Sequence, residues 1–238
     1  MQKIDKYKEL YERLDKLFED VKKYATANVT VCAATKTVSA EVINLAAEHG
    51  LTDIGENRVQ ELLEKYPYLD KDKLNIHFIG RLQTNKVKYI VDKVCMIQSV
   101  DSERLAREID KQCKKIGKKM PVLAEVNIGG EESKGGVDIE GLYGLCDTIM
   151  SLDALELRGI MIIPPKTDDK DRLLEYFSQS YEIFIDICKN KLHNIYNGVL
   201  SMGMSGDYIE AMQKGSTMIR PGRAIFGERY YPKDNQDQ

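Results

Sequence analysis

The sequence predicts a (β/α)8 TIM barrel preceded by one additional N-terminal helix. From Val29 onward, eight short apolar runs alternate with seven helical patterns, and 238 residues is a normal length for one such barrel. Alternating strands and helices imply parallel pairing through right-handed crossovers, and eight strands close the barrel. An open doubly wound sheet is the competing arrangement. We expect a single domain over residues 1–238, because no linker or low-complexity stretch interrupts the pattern.

The first segment, residues 3–24, is predicted to be an amphipathic helix. Its apolar side chains recur at spacings of three and four: Ile4, Tyr7, Tyr11, Leu14, Phe18 and Val21. The stripe ends after three heptads, which favours a helix laid across its own domain over a coiled-coil seam. We expect it to cover the ring where no helix follows the eighth strand.

The remaining elements follow in strict alternation. The predicted strands are 29–35, 52–55, 75–79, 94–99, 121–127, 155–163, 195–200 and 217–219. The predicted helices between them are 39–50, 57–65, 83–91, 102–117, 138–151, 169–190 and 205–214. Ser39, Ser102 and Ser205 are predicted to be N-caps, and Gly50 and Gly117 to end helices.

Composition excludes several classes of protein. No apolar run is long enough to cross a bilayer, and a formal net charge of −3 gives no basic field for nucleic acid. We therefore expect no nucleic-acid or membrane partner. No exposed apolar seam stands out, so we expect a monomer.

The cysteines and histidines indicate a reduced, metal-free protein. The five cysteines form no C-x-x-C pair and their number is odd, which suits a reducing compartment. The three histidines, His49, His77 and His193, are far apart and form no recognised ligand set. We expect a cytoplasmic location and no metal site.

Lys36 is the first residue that indicates chemistry. It follows the apolar run 29–35 directly, and Ser39 then opens a helical pattern. A lysine at the end of a buried strand is costly unless its amine has a use. Removing a lysine from water lowers its pKa and frees its lone pair to form an imine with an aldehyde. That is the first requirement of a pyridoxal phosphate lysine.

Two glycine-rich turns near the other end of the chain favour a phosphate site. Residues 201–207 lead into a helix, and residues 215–223 add hydroxyls, a tight turn, Arg220 and Arg223. In such barrels the loops after strands seven and eight often bind phosphate. Closing the barrel makes the first strand the neighbour of the eighth, so Lys36 and both turns meet at one rim. A rim salt bridge is the alternative role for Arg220.

Five ordered motifs resemble one known family. They are ATKT at 34–37, IGENRVQE at 54–61, HFIGRLQTNK at 77–86, LSMGMSGD at 200–207 and GSTMIRPGRAIFG at 215–227. Together they resemble the YggS/PROSC family of pyridoxal phosphate homeostasis proteins, over about residues 4–230. That family is similar in fold to the N-terminal barrel of bacterial alanine racemase.

The resemblance implies a set of pyridoxal 5'-phosphate contacts. Lys36 would form the internal aldimine, with Asn57 beside the cofactor, His77 lining the barrel and Arg220 facing the pyridine nitrogen. The residues expected around the phosphate are Ser201, Gly203, Ser205, Gly222 and Arg223. Lys134 occupies the place of a loop lysine near the site entrance. Arg223 departs from the family, where many relatives carry a small hydroxyl residue, and Pro221 replaces a commoner aliphatic residue.

The resemblance also implies a cofactor carrier without catalytic residues. An arginine opposite the pyridine nitrogen keeps it unprotonated, which weakens the ring as an electron sink. A racemase also needs a second acid–base group, which related enzymes take from another domain that we expect to be missing here. The expected function is holding or delivering pyridoxal phosphate, with apo enzymes as transient recipients. An amino-acid racemase and a barrel isomerase acting on a phosphorylated metabolite are the alternatives.

Overall fold

The computed structural model describes residues 7–130, 135–192 and 198–228, and these form a closed barrel of eight parallel strands. The strands are β1 (Thr30–Ala34), β2 (Asp53–Glu56), β3 (Asn75–Phe78), β4 (Met96–Val100), β5 (Met120–Val126), β6 (Leu155–Ile162), β7 (Val199–Ser201) and β8 (Met218–Ile219). Each strand pairs with its neighbours in sequence, and β8 pairs with β1. The barrel prediction is therefore confirmed, and the open sheet is wrong.

The helices form the outer layer. They are α1 (Lys8–Tyr24), α2 (Ala40–Glu48), α3 (Val59–Lys65), α4 (Glu103–Lys115), α5 (Ile139–Met150), α6 (Lys170–Ile187), α7 (Tyr208–Gln213) and α8 (Arg223–Phe226). Between β3 and β4 the predicted α-helix is instead a 3-10 helix, Thr84–Tyr89. Val87 in this segment and Ile90 directly after it are buried, and their spacing of three matches the tighter 3-10 repeat.

Helix α1 lies across its own barrel, as expected. It buries Leu10, Leu14 and Leu17 and packs against α2, α7 and α8. The expectation that no helix follows the eighth strand was wrong, because α8 does. Helix α8 has only four residues, so α1 covers most of the outer surface beside β8.

Two of the three predicted N-caps are confirmed. The side chains of Ser39 and Ser102 accept backbone hydrogen bonds at the starts of α2 and α4. Ser205 does not cap α7, which begins at Tyr208. Its hydroxyl accepts from the backbone N–H groups of Gly222 and Ala224 instead, so it ties the β7 loop to the β8 loop.

The seam between β1 and β8 closes the barrel with very few residues. Strand β8 contains two residues, and β7 begins at Val199, later than the predicted 195; residues 195–197 lie outside the described residues. At the carboxyl end of the seam, the Ala34 N–H donates to Pro221 O at 2.8 Å. The loop after β8 is thereby fixed beside Lys36.

The interior of the barrel is small and partly polar. Cys32, Ile79 and Met218 form an apolar cluster separate from the larger core that lies between the strands and the helices. Buried polar side chains occupy other inward positions: Asp53, His77, Gln98, Glu125, Ser201 and Arg220. No helix within the described ranges combines the length and apolar character needed to span a membrane.

Candidate functional site

Lys36 continues the inward face of β1. Side chains alternate along a strand, so Cys32, Ala34 and Lys36 share the face that lines the barrel. Lys36 is half-buried, and its amine has no hydrogen-bond or ion-pair partner in the part of the chain that the structure describes. A shielded and unpaired amine at the barrel mouth is available for a ligand.

Asn57 lies at the same level on the next strand. The register pairs Ala34 with Gly55, which places Lys36 beside Asn57 two residues further on. The side-chain oxygen Oδ1 of Asn57 is buried without a hydrogen-bond partner among the described residues. A Cβ atom at Gly80 would lie 2.1 Å from Asn57 O, so only glycine at position 80 allows this packing. Asn57 is thus held in place with an acceptor that needs a donor.

Arg220 is buried at the end of β8, only 4% exposed. It donates to Ser201 Oγ at 2.6 Å and to Ile162 O at 2.9 Å. Burial lowers the pKa of Arg220, while the nearby Glu125 carboxylate favours the charged form. The predicted rim salt bridge is absent among the described residues, and Arg220 is instead an interior cation.

A chain of hydrogen bonds links Arg220 to the far side of the barrel. Ser201 Oγ donates to Gln98 Oε1 at 2.7 Å, and Gln98 Nε2 lies 3.0 Å from His77 Nδ1. His77 Nε2 lies 2.9 Å from Asp53 Oδ1. We call this set of five residues, Arg220, Ser201, Gln98, His77 and Asp53, the barrel relay.

The charge of His77 in the relay depends on its hydrogen bond to Asp53. Burial opposes a charge on His77, but hydrogen bonds to Asp53 and Cys95 outweigh it and raise the pKa of His77 to about 9. Burial likewise opposes ionisation of Asp53, yet the bond to His77 holds the pKa of Asp53 below its usual value. The Gln98 amide accepts from a charged His77 if it exchanges Oε1 and Nε2 by half a turn. In that orientation Gln98 Nε2 donates to Ser201 Oγ, which then accepts from both Gln98 and Arg220.

The two glycine-rich turns come together as a cradle. Gly203 has a φ of 95°, and a Cβ there would lie 2.6 Å from the Ala211 side chain. Arg220 N–H donates to Gly203 O at 2.8 Å, so the two turns are bonded to each other. Ser205 and Gly222 are joined by the hydroxyl contact described above. The predicted phosphate turns are thus neighbours.

Two residues expected at the phosphate lie differently. Ser201 is fully buried and its hydroxyl is directed to Arg220 and Gln98. The Arg223 side chain is 63% exposed and lies 3.8 Å from Glu228, so its backbone rather than its guanidinium adjoins the cradle. Lys134 lies outside the described residues.

Glu125 is an interior carboxyl group that the sequence analysis missed. It lies on β5 and is 7% exposed. Burial, with the charge of Asp101, raises the pKa of Glu125 to about 7 against the opposing effect of Arg220 and Arg81. The barrel mouth therefore contains a carboxyl group that titrates near neutral pH.

A polar cleft of about 1000 Å³ opens from Asn57 across the ends of β2, β3 and β4. Four of its lining residues are cations: Arg58, Arg81, Lys86 and Arg104. All four are exposed, and none forms an ion pair within the described ranges. Asp101 is the acidic residue in the lining, and no aromatic side chain is present there. We call this surface the cationic cleft.

Sequence comparison assigns the whole barrel to one family. The alanine racemase N-terminal domain family matches residues 11–230. A pyridoxal phosphate homeostasis protein of Aquifex aeolicus is 42% identical over 92% of this chain and 98% of its own length. The protein of that name from Escherichia coli K12 is 35% identical over 86% of this chain and 88% of its own length.

Solved structures agree with this assignment. PipY of Synechococcus elongatus PCC7942, solved with PLP bound, is 30% identical with a TM-score of 0.82, covering 92% of this chain and 100% of PipY. Alanine racemase of Clostridium difficile 630 is 16% identical with a TM-score of 0.69, covering 94% of this chain and 61% of the racemase, and shares the fold. The chain therefore belongs to the alanine racemase N-terminal domain family and, within it, to the pyridoxal phosphate homeostasis proteins.

Proposed function

We propose that this protein binds pyridoxal 5'-phosphate through Lys36 and holds it as a cellular reserve of the cofactor. The observation that carries the proposal is the unpaired Lys36 amine, placed beside Asn57, which directly follows β2, and beside the loop after β8 that contains Arg220. Relatives named for pyridoxal phosphate homeostasis, and a similar structure solved with PLP bound, support the same ligand.

The residues present fit this cofactor. Pyridoxal phosphate supplies an aldehyde, which condenses with a deprotonated lysine amine and releases water. The buried Asn57 Oδ1 lacks a donor in the described structure, which a hydroxyl of the ligand would provide. The cradle at Gly203, Ser205, Gly222 and the Arg223 backbone would hold the phosphate, since small residues let backbone N–H groups approach it.

Arg220 favours storage over catalysis. A permanently protonated guanidinium donates hydrogen bonds and does not give up its proton to a ring nitrogen. The ring nitrogen then stays neutral and withdraws electrons weakly, which disfavours carbanion chemistry. We propose that the protein is not an enzyme; the amino-acid racemase remains the alternative.

The test of binding is covalent trapping. Borohydride reduction of protein incubated with pyridoxal phosphate should fix the cofactor on the peptide containing Lys36, as located by mass spectrometry. Lys36→Ala should abolish trapping, and Lys73→Ala should retain it, because Lys73 is an exposed lysine in the loop before β3. Trapping spread over surface lysines, or undiminished in Lys36→Ala, would contradict the proposal.

The test of catalysis is proton exchange in deuterated water. The loaded protein should leave the α-proton of added L- or D-alanine unexchanged. Exchange that depends on Lys36 would instead establish the racemase alternative.

The cationic cleft favours delivery to a protein partner. Its cations surround an opening that reaches Asn57, and the lack of aromatic residues gives nucleic-acid bases no stacking surface. We propose that an acidic surface of an apo pyridoxal phosphate enzyme docks there as a transient recipient. Transfer to such an enzyme should slow in Arg81→Glu and with added salt, while Lys111→Glu, on α4 outside the cleft, should not slow it. Equal rates in Arg81→Glu and in the parent protein would reject the docking site.

We further propose that the protein acts as a monomer in the cytoplasm. All five cysteines are free, which suits a reducing compartment. The six exposed large apolar side chains among the described residues come from six different segments of the chain. Light scattering should give a mass close to the chain mass of 27.1 kDa; twice that mass would contradict the monomer.

A further inference from the structure

A buried charged cluster lies behind Lys36, on the outer side of the barrel wall. It consists of Glu56 at the end of β2, and Glu61 and Lys65 on α3; we call it the Lys65 clamp. Their side chains are 0%, 19% and 11% exposed. Lys65 Nζ lies 3.0 Å from Glu56 Oε1 and 2.6 Å from Glu61 Oε1. Burying three charged groups together is costly, so the arrangement calls for an explanation.

The clamp is bonded to both peptide neighbours of Lys36. Lys65 Nζ donates to Thr35 O at 2.8 Å, and Thr35 Oγ1 donates to Glu56 Oε1 at 2.7 Å. On the other side, the Thr37 N–H donates to Glu61 Oε1. One cluster therefore fixes the backbone immediately before and immediately after Lys36.

The backbone between these anchors is strained. Thr37 has a φ of 65°, the single positive φ of a non-glycine residue within the described ranges. A left-handed conformation is unfavourable for a β-branched residue and persists only where its surroundings impose it. The turn is closed by the Val38 N–H, which donates to Thr35 O at 3.0 Å, and the Thr37–Glu61 bond is the side-chain contact that supports it.

We propose that the Lys65 clamp is a positioning device that holds the strained turn at Lys36 so that its amine faces the cofactor site. The inference rests on the proposed function, since it assigns the clamp a role in covalent capture of pyridoxal phosphate. Without the clamp, Thr37 relaxes to a right-handed conformation and turns the Lys36 side chain away. Among the described residues no hydrogen bond joins the clamp to the phosphate cradle in the loops after β7 and β8, so the cradle keeps its geometry.

The proposal predicts an effect that depends on the aldehyde of the ligand. Pyridoxine 5'-phosphate carries an alcohol in its place, so it uses the cradle and does not bond to Lys36. In Lys65→Met, the dissociation constant for pyridoxal phosphate should rise about tenfold, as expected when a left-handed conformation is no longer imposed. The dissociation constant for pyridoxine 5'-phosphate should stay unchanged.

Lys16→Met is the matched control. Lys16 also pairs with a carboxylate four residues away, the buried Asp20, but the Lys16 side chain is itself 72% exposed. It should bind both ligands as the parent protein does. Glu61→Ala removes the Thr37 anchor and one of the two carboxylates bonded to Lys65, and it serves if Lys65→Met does not fold; it should show an equally aldehyde-dependent loss.

A rescue variant separates positioning from general damage. Glycine adopts a positive φ without strain, so adding Thr37→Gly to Lys65→Met or Glu61→Ala should recover part of the lost affinity for pyridoxal phosphate. Equal weakening of both ligands, or unchanged affinities in both clamp variants, would overturn the positioning role. Failure of the parent protein to capture pyridoxal phosphate on Lys36 would instead refute the proposed function.

Discussion

The barrel relay and the Lys65 clamp are two hydrogen-bond networks on opposite sides of the barrel wall. The relay joins side chains from β2, β3, β4 and β7 to Arg220 after β8, through bonds between side chains. The clamp joins neighbouring elements only, and two of its bonds end on backbone atoms. Inside the wall the relay holds the charged Arg220 side chain. Outside the wall the clamp holds the backbone conformation of Thr37.

Substitutions in the two networks should therefore affect different properties of the protein. Relay residues are buried in a small polar interior, so removing one leaves partners without hydrogen bonds and lowers global stability. The clamp acts on a local turn, so its effect should appear mainly in ligand capture.

Loss of His77 should have the largest effect on stability. His77→Leu leaves Asp53 as a buried charge without its partner, and we expect the free energy of unfolding to fall by about 3 kcal/mol at neutral pH. The folded pKa of about 9 exceeds the usual 6.5, so the stabilisation is full below about pH 6.5 and is lost as pH rises through about 9. In urea unfolding, the difference in the free energy of unfolding between the parent and the variant should become smaller over that pH range. A gap independent of pH would indicate that His77 acts by packing alone.

Glu125→Gln should stabilise the protein in a pH-dependent way. The folded pKa of about 7 exceeds the usual 4.5, so the parent protein loses stability as pH rises from about 4.5 to 7. The variant escapes this loss, and we expect it to be more stable by about 3 kcal/mol above pH 7. Below about pH 4.5 the two proteins should unfold at the same urea concentration. A destabilised variant at pH 8 would mean that the Arg220 contact outweighs burial.

Ser201→Ala tests the middle of the relay. It removes the donor to Gln98 and one acceptor of Arg220, which should cost about 1.5 kcal/mol in the free energy of unfolding. Ser180→Ala is the matched control, because that buried hydroxyl bonds only within its own helix, to Tyr176 O. Equal costs in both variants would show that Ser201 is an ordinary core serine.

Thr37→Gly should have the smallest effect. Relief of the left-handed strain and the larger entropy of unfolded glycine oppose each other, so we expect a net change within about 0.5 kcal/mol in the free energy of unfolding. With the clamp intact, the affinity for pyridoxal phosphate should not change. Thermal unfolding and ligand titration would check both, and a large affinity loss would show that the threonine side chain itself is needed.

The sequence was sufficient to predict the barrel and the meeting of the first strand's end with the loop after the eighth strand. Strand alternation assigns inward positions, and closing eight strands brings Ala34, two residues before Lys36, into contact with Pro221 although they are far apart in sequence. The role of Lys65 could not be predicted from the sequence, because Lys65 resembles any lysine on an amphipathic helix. Its role depends on Glu56, a carboxylate that points outward from the wall and is nonetheless fully buried.

The roles of Gln98 and Glu125 inside the barrel were missed for a different reason. Gln98 and Glu125 are lone polar residues within apolar strand patterns, which is a signal that the sequence does carry. Their partners could not be inferred, since Gln98 meets Ser201 across 103 positions of the chain. Ser205 was assigned to the wrong helix because a cap across two loops leaves no local pattern.

The two-residue strand β8 has a consequence for synthesis of the protein. The site needs β1, made first among the strands, and the β8 loop, made last, so no ribosome-bound chain that lacks its final strand can assemble it. Such long-range closure is slow compared with local helix formation. A cofactor bound only after closure stabilises finished barrels alone. Pyridoxal phosphate would therefore distinguish completed chains from truncated ones and protect the former selectively from proteolysis.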